Sequence, residues 1–341
     1  MKAAVAYDFG DVRLEERPVP RIGPGEALVR MRACGICSGD VTPWYIRRKC
    51  PLVPGHEPAG EIVEVGPEVR GFRPGDRVFV HHHAPCFTCR ACRRGFFSMC
   101  PVWKASHLDP GGLAEYVRVP AVNLQGDTLL LPDEVSWEDG ALVEPLACVV
   151  KAFRRGGLRP GDRVALLGLG VMGQMMILLA RHLGAEWIGG SDRVPYRLEK
   201  AREFGADLAL DSSAASFPEA VRQATGGEGA DLVVVGPGSV QAMAEGIECA
   251  GKGGTVLWFM GSEPEATLQV HPHHLYFHEI SLVSSYSCGP DDTRQALDLV
   301  RRGVISAERL VTHRFPLEQA PEACQVTARA RESLKVMVVF D

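Results

Sequence analysis

Cys86, Cys89, Cys92 and Cys100 fall within fifteen residues, in the pattern C-x2-C-x2-C-x7-C. Four thiolates at such spacing can close a tetrahedron around Zn²⁺ and leave no position open for substrate, so the expected site is structural. No acidic residue occurs from His81 to Leu108, whereas Arg90, Arg93, Arg94 and Lys104 are basic. A zinc ion held by four thiolates is formally dianionic, and nearby cations stabilise those thiolates. A nucleic-acid zinc ribbon has two C-x2-C pairs further apart, which this spacing does not match. On sulfur count alone an iron–sulfur cluster stays open.

Gly168-Leu169-Gly170-Val171-Met172-Gly173 is a second chemical pattern. It follows the apolar run Val164–Leu167 and opens a helical pattern, and Asp192 comes nineteen residues after Gly173. That is the context of a dinucleotide-binding turn. Gly168 permits the tight turn, Gly170 lets a pyrophosphate approach the backbone, and Gly173 lets helix and strand pack closely. The N-terminus of the helix that Val171 and Met172 begin offers free N–H groups to phosphates. Asp192 is expected to accept hydrogen bonds from the adenosine ribose and to repel a 2′-phosphate, which favours NAD over NADP. Arg193 is adjacent, and meeting that phosphate instead is the alternative.

The elements around these residues fall into two groups. At roughly 150 residues per domain, 341 residues suggest two domains. The first 140 residues read as short strands, such as Ala27–Arg32, Gly60–Val65 and Arg77–Val80, separated by Gly/Pro turns. From Asp162 strands and helices alternate. Strands are expected at Val164–Leu167, Trp187–Ile188, Leu208–Leu210, Leu232–Val235, Thr255–Phe259 and Ile280–Ser284. Helices are expected at Val171–Leu183, Pro195–Phe204, Phe217–Ala224 and Val240–Cys249. This alternation predicts an α/β fold with a doubly wound parallel sheet. The last strands and helices rejoin the first domain. The expected division is 1–147 with 286–341, carrying the four-cysteine lobe at 81–104, and 148–285 for the dinucleotide.

Cys37, His56 and Glu144 are scattered by spacing alone. Taken together with the rest, however, they complete a pattern. Gly35-Ile36-Cys37-x-x-Asp40, Gly55-His56-Glu57-x-x-Gly60, the four-cysteine lobe, Glu144-Pro145-Leu146 and the Gly168–Gly173 fingerprint occur in one order. Over essentially its whole length the chain resembles the zinc-dependent medium-chain alcohol dehydrogenases, in the branch of sorbitol and threonine dehydrogenases. The resemblance implies a GroES-like catalytic domain beside a Rossmann domain. It implies that Cys37 and His56 ligate a catalytic zinc, and that Glu57 and Glu144 bind the metal directly or through water. One thiolate, one imidazole and one carboxylate leave a fourth position for a substrate oxygen. The implied cofactors are one catalytic and one structural Zn²⁺ per chain, with NAD taking the hydride. The implied substrate is a secondary alcohol, a polyol or sugar-like alcohol, with an amino alcohol as the alternative. The implied assembly is a homotetramer or homodimer.

Other function classes fit less well. A zinc-free quinone reductase would lack the cysteine lobe and the Cys37/His56 pair, and a dinucleotide-binding sensor would not need intact ligands. A net charge of −5 argues against a nucleic-acid partner. No apolar run reaches the ~18 residues of a membrane span. Eleven cysteines without a secretory signal fit a reducing, cytoplasmic setting.

In many relatives a Ser or Thr two residues after the zinc cysteine starts a proton relay to a histidine. Here those positions are Gly39 and Thr42. Glycine has no hydroxyl, and Thr42 does not titrate near neutrality. The expected exit is therefore a water at the metal and a carboxylate, Glu57 or Glu144, with Ser38 as helper. Substrate selection is expected at Trp44, Trp103 and Ser284–Cys288. His81–His83 read as a strand end with alternating sides. Cys34, Cys50, Cys148, Cys249, Cys288 and Cys324 read as buried apolar residues.

Overall fold

A computed structural model describes residues 1–341. The chain divides into two compact units, Met1–Ala147 with Cys288–Asp341, and Cys148–Ser287. The return to the first unit therefore comes at Cys288, two residues beyond the expected 286.

The first unit is built mainly on antiparallel pairing, its last two strands alone being parallel to each other. Its strands are β1 (Lys2–Asp8), β2 (Asp11–Glu16), β3 (Ala27–Ile36), β4 (Glu57–Val65), β5 (Arg77–Val80), β6 (Tyr116–Val119) and β7 (Thr128–Leu130). Alternating apolar residues drive this sheet: Ala27, Val29 and Met31 point to one core with Ile62, Val78 and Val117. The strands of the second unit are β8 (Arg163–Leu167), β9 (Trp187–Asp192), β10 (Leu208–Asp211), β11 (Ala230–Val235), β12 (Ala250–Trp258) and β13 (Ser281–Ser284). The chain then returns with β14 (Val311–Pro316) and β15 (Lys335–Val339). These join the first unit's sheet, whose order is β14-β15-β3-β4-β5-β7, with β6 also on β3. β3 thus has β4 and β15 as antiparallel neighbours, with Gly35 opposite both Glu57 and Met337.

In the second unit all pairs are parallel, in the order β10-β9-β8-β11-β12-β13. This is two halves meeting at β8 and β11, the doubly wound order that binds dinucleotides at the crevice where strand order reverses. Near-continuous apolar runs such as Val164–Leu167 and Leu232–Val235 are buried, as a sheet covered on both faces requires. The helices Val171–His182, Pro195–Glu203, Phe217–Ala224 and Val240–Cys249 fill the connections.

Arg73–Val78 and Arg159–Val164 share the sequence Arg-Pro-Gly-Asp-Arg-Val and form the same turn. Arg73 N–H donates to Asp76 Oδ2 at 2.8 Å and Arg159 N–H to Asp162 Oδ2 at 2.7 Å, each just before a strand. Cys34, Cys249, Cys288 and Cys324 are buried as expected. Cys50 and Cys148 are only partly buried.

Candidate active site

The four-cysteine lobe has little regular structure of its own: helical turns at Arg90–Arg93, Phe97–Met99 and Pro101–Ala105. Its small core is Cys92, Cys100 and Trp103, with Phe97 against them. Trp103, expected at the substrate, is instead the buried centre of this lobe, because its large ring fills space that the short helices leave. The sulfurs of Cys86 and Cys100 lie 3.6 Å apart, and those of Cys89 and Cys92 3.5 Å. A disulfide needs ~2.05 Å. A tetrahedron with Zn–S of about 2.3 Å has edges of about 3.8 Å, so the donor set fits zinc. The Thr88 hydroxyl and the amides of Thr88 and Cys89 draw the Cys86 thiol down to about 6, towards the thiolate a metal requires.

The second cluster is assembled by the sheet. β3 ends at Ile36, and Cys37 then caps the turn Ser38–Val41, its sulfur accepting from Gly39 N–H at 3.4 Å. His56 immediately precedes β4, whose first residue is Glu57. Cys37, His56 and Glu57 each offer a ligand atom, all within 4.8 Å of one another. His56 Nδ1 faces Asp40 Oδ1 at 3.2 Å. A carboxylate on one ring nitrogen fixes the tautomer and leaves the other nitrogen for a metal. Burial opposes the charged imidazole, but Asp40 and Cys37 outweigh it and hold His56 well above its ordinary value. A dication in that spot would take the place of the proton. Thiolate, imidazole and carboxylate at this separation are a zinc-type donor set.

Glu57 has a second engagement. Lys335, the first residue of β15, places Nζ 2.8 and 2.6 Å from its two oxygens and 3.4 Å from the Ile36 carbonyl. The pair is 2% and 1% exposed. Burial works against the ammonium, yet Glu57 and Cys37 raise the Lys335 pKa and keep it charged. Each Glu57 oxygen accepts from an ammonium and keeps a lone pair for a metal, which suits a ligand held in place better than a proton acceptor. Gly35 makes the approach possible, because a Cβ there would overlap Glu57 Oε2.

Glu144 lies in the first turn of the helix Val143–Gly156 and is 5% exposed. Its carboxylate clusters with the ring nitrogens of His81 and His82, again within 4.8 Å. Burial pushes its pKa up. β5 stops at Val80, so His81–His83 do not alternate as strand residues do. Their rings crowd together, with His83 4.0 Å from Trp103 between ring centres. His81 Nδ1 lies 2.6 Å from Asp127 Oδ2, and Thr293 donates to Asp127 Oδ1 at 2.5 Å. Cys288 Sγ is 3.5 Å from His81 Nε2 and 4.0 Å from Glu144 Oε1. Ser38 is exposed, and the Thr42 hydroxyl donates to the Ser38 carbonyl at 2.7 Å.

Sequence reasoning gave no part to Lys335 or Asp127, named Asp40 only within the cysteine motif, and placed Cys288 at the end of the Ser284–Cys288 stretch rather than beside His81. Asp40 stands inside the cysteine motif, which was a usable signal. Lys335 heads the apolar strand Val336–Val339, a weaker one.

In the second unit Gly168 has φ +89° and donates its N–H to Ser191 O at 2.8 Å. A Cβ on Gly173 would collide with the Gly168 carbonyl. Asp192, at the end of β9, is 9% exposed. Oδ2 accepts from Leu169 N–H at 2.8 Å and Arg197 Nη1 at 3.3 Å. Oδ1 accepts from the N–H groups of Arg193 and Val194 at 2.8 and 3.0 Å. The carboxylate therefore also holds the fingerprint turn in shape, and two arginines stand beside it.

Residues 23–128 match the model of the alcohol dehydrogenase GroES-like domain, and residues 171–302 that of the zinc-binding dehydrogenases. Sheep (Ovis aries) sorbitol dehydrogenase is 35% identical over 347 residues, covering 99% of this chain and 96% of the relative. The chain belongs to the zinc-binding alcohol dehydrogenases. Among solved structures, a Sinorhizobium meliloti protein described as a zinc-binding dehydrogenase and bound to NADP superposes with a TM-score of 0.89. It shares 30% identity, covering 99% of this chain and 98% of that one. The 2R,3R-butanediol dehydrogenase of Bacillus subtilis gives 0.87 at 28% identity, covering 99% of each. The protein is thus an alcohol dehydrogenase with a GroES-like and a Rossmann-like fold. Its cofactors are zinc and a nicotinamide dinucleotide, and its substrate is a small molecule. No helix is long and apolar enough to cross a membrane.

Proposed function

We propose that this alcohol dehydrogenase oxidises a secondary hydroxyl of a polyol, with NAD as the preferred hydride acceptor. The observation that carries the reading is the Cys37–His56–Glu57 donor cluster with the buried Glu144 carboxylate nearby, in a chain similar to a sorbitol dehydrogenase and a butanediol dehydrogenase. Cys37, His56 and Glu57 hold the catalytic zinc, and Glu144 hydrogen-bonds the reacting hydroxyl. When bound, zinc supplies Lewis-acid polarisation of the substrate oxygen. Asp40 orients the His56 ring, and Lys335 fixes the Glu57 carboxylate. Glu144 Oε1 or Oε2 accepts the hydroxyl proton, and a bound nicotinamide would supply the acceptor for the carbon-bound hydride. Ser38 and Thr42 take no direct part, in keeping with the exposure of Ser38 and the commitment of the Thr42 hydroxyl to a backbone carbonyl.

Cys86, Cys89, Cys92 and Cys100 hold a second, structural zinc. The unit Met1–Ala147 with Cys288–Asp341 is the catalytic domain, and Cys148–Ser287 the dinucleotide domain. There Gly168, Gly170, Val171, Met172 and Gly173 form the pyrophosphate turn. Asp192 faces the ribose, and Arg193 borders it. A homodimer or homotetramer is supported by the edge strand β13 and by Tyr276 and Phe277 beside it, which are 77% and 66% exposed. Eleven cysteines, none of them in a disulfide, support a cytoplasmic setting.

The test is NADH formation by the zinc-loaded protein over a panel of polyols, vicinal diols, amino alcohols and simple secondary alcohols, repeated with NADP. Oxidation of polyols with NAD is the expected result. Exclusive use of an amino alcohol, or of NADP, would overturn the reading.

A further inference from the structure

The reaction as described gives no part to the three consecutive histidines after β5. Two of them are tied into the protein. His81 lies between Asp127 at 2.6 Å and Cys288 at 3.5 Å. His83 Nδ1 lies 2.5 Å from the Ser106 carbonyl, and its ring packs on Trp103. His82 differs. Its Nδ1 is buried and has no hydrogen-bond partner. Its ring centre is 4.9 Å from that of His56, and one of its nitrogens is within 4.8 Å of the Glu144 carboxylate. An imidazole ring offers its nitrogens as hydrogen-bond donor or acceptor, which suits a hydroxyl. A buried nitrogen left without a partner is costly, and here it stands between two neighbours whose needs are met. Its position beside both the metal-type cluster and Glu144 points to a group brought by the ligand.

We propose that His82 is a specificity-determining residue. One of its ring nitrogens hydrogen-bonds a second substrate hydroxyl, on the carbon next to the one oxidised, so that vicinal diols and polyols are selected over simple secondary alcohols. The inference rests on the polyol-dehydrogenase reading above. With the reacting oxygen at Glu144 and the Cys37–His56–Glu57 cluster, a vicinal hydroxyl is one carbon–carbon bond away, within reach of a ring whose centre lies 4.9 Å from that of His56. A site that hydrogen-bonds a substrate hydroxyl rejects the analogue lacking it far more strongly than an apolar pocket rejects a missing methylene.

The experiment compares 2,3-butanediol with 2-butanol, which differ by that one hydroxyl. Wild type, His82→Phe, His82→Asn and His82→Gln are assayed, each checked for zinc content and thermal stability. Wild type should favour the diol in kcat/KM. His82→Phe should lower the diol-to-alcohol ratio by about 10- to 100-fold, the size of one hydrogen bond in a dry site, and leave 2-butanol within about threefold. Asn places its amide near the Nδ1 position and Gln near Nε2, so one of the two should retain most of the ratio and the other lose it. If His82→Phe does not fold, the Asn/Gln contrast decides. An unchanged ratio, equal behaviour of Asn and Gln, or loss of zinc in His82→Phe, which would make the ring a metal ligand, overturns the proposal. A wild type that oxidises both alcohols equally sinks the role of His82 alone. A wild type that oxidises no alcohol with NAD or NADP sinks the function on which it rests.

Discussion

Replacing Lys335 with methionine removes a buried ammonium and keeps most of the side chain's length and apolar volume. The ammonium lies 2.6 and 2.8 Å from the oxygens of Glu57, and neither partner exceeds 2% exposure. At an effective dielectric of about 20, two charges at that separation attract by about 6 kcal/mol. Part of this is offset by the desolvation that both ions suffer on burial. Breaking a buried pair by removing one partner nevertheless costs about 3–5 kcal/mol, because the remaining charge is left uncompensated. That cost should fall on the metal-free protein. In the zinc-loaded protein the dication beside Glu57 supplies the missing countercharge, and the loss should be smaller, about 1–2 kcal/mol. At roughly 2–4 °C per kcal/mol for a unit of this size, the metal-free variant should melt about 6–20 °C below metal-free wild type.

The assay is thermal and urea unfolding of wild type, Lys335→Met, Glu57→Gln and the double variant, each with zinc and after chelation. The double variant leaves no charge behind, so it should be more stable than Lys335→Met alone. A metal-free Lys335→Met as stable as wild type, or a penalty equal in both metal states, would refute the reasoning.

Elemental analysis should find about two zinc ions per chain. Cys89→Ala should lose one and destabilise the fold, because metal-binding energy in such a lobe is folding energy. Cys37→Ala should lose the other, keep the fold and form no NADH; an unchanged metal content in Cys89→Ala would exclude the structural site. Asp192→Ala should move the NAD-to-NADP ratio of kcat/KM towards NADP by removing an anion from the 2′-position. It should also weaken both coenzymes, since the Leu169 N–H loses its acceptor. A wild type that already prefers NADP would make Arg193 and Arg197 the determining residues. Gly35→Ala drives a Cβ into Glu57 Oε2 and to 3.3 Å from Lys335 Cδ, whereas on Gly39 the new carbon meets Cys37 Sγ at an ordinary 3.7 Å. Activity and catalytic-zinc retention should therefore collapse in the first variant and survive in the second, and equal outcomes would contradict the geometry.

The second unit was largely readable because each of its strand–helix steps is local. Val164–Leu167, the Gly-rich turn and the helix from Val171 stand next to one another in sequence, and the parallel sheet repeats that step. The first unit was readable only in part. β3 runs on to Ile36 where Arg32 was the expected end, and β4 begins at Glu57 where Gly60 was expected. The added residues, Ala33-Cys34-Gly35-Ile36 and Glu57-Pro58-Ala59, carry Gly and Pro, which read as turns in isolation. Pairing across the sheet overrides that local preference, since Cys34 faces Pro58 and Gly35 faces Glu57. These extensions carry the chemistry to the ends of the strands. For the same reason the Glu57–Lys335 pair, 278 residues apart in sequence, has no local signal beyond a lysine at the head of an apolar strand.

The two metal-type clusters therefore stand on different physical footings. The four cysteines lie within fifteen residues, on turns only three to five residues long, and their core is little more than Trp103 and Phe97. Such a segment buries too little apolar surface to hold its own shape, so the ion must supply the order. Its ligands are legible in sequence because nothing else positions them. Cys37, His56 and Glu57 are held by a seven-stranded sheet, with Asp40 behind one ligand and Lys335 behind another. There the fold supplies the order before any ion arrives. An ion that is not needed to hold the polypeptide can keep a coordination position open for substrate, which a closed four-thiolate site cannot do. The partners that make this possible come from strands distant in sequence, so the catalytic cluster is legible only through its motifs, while the residues that fix it appear once β3, β4 and β15 are set in register.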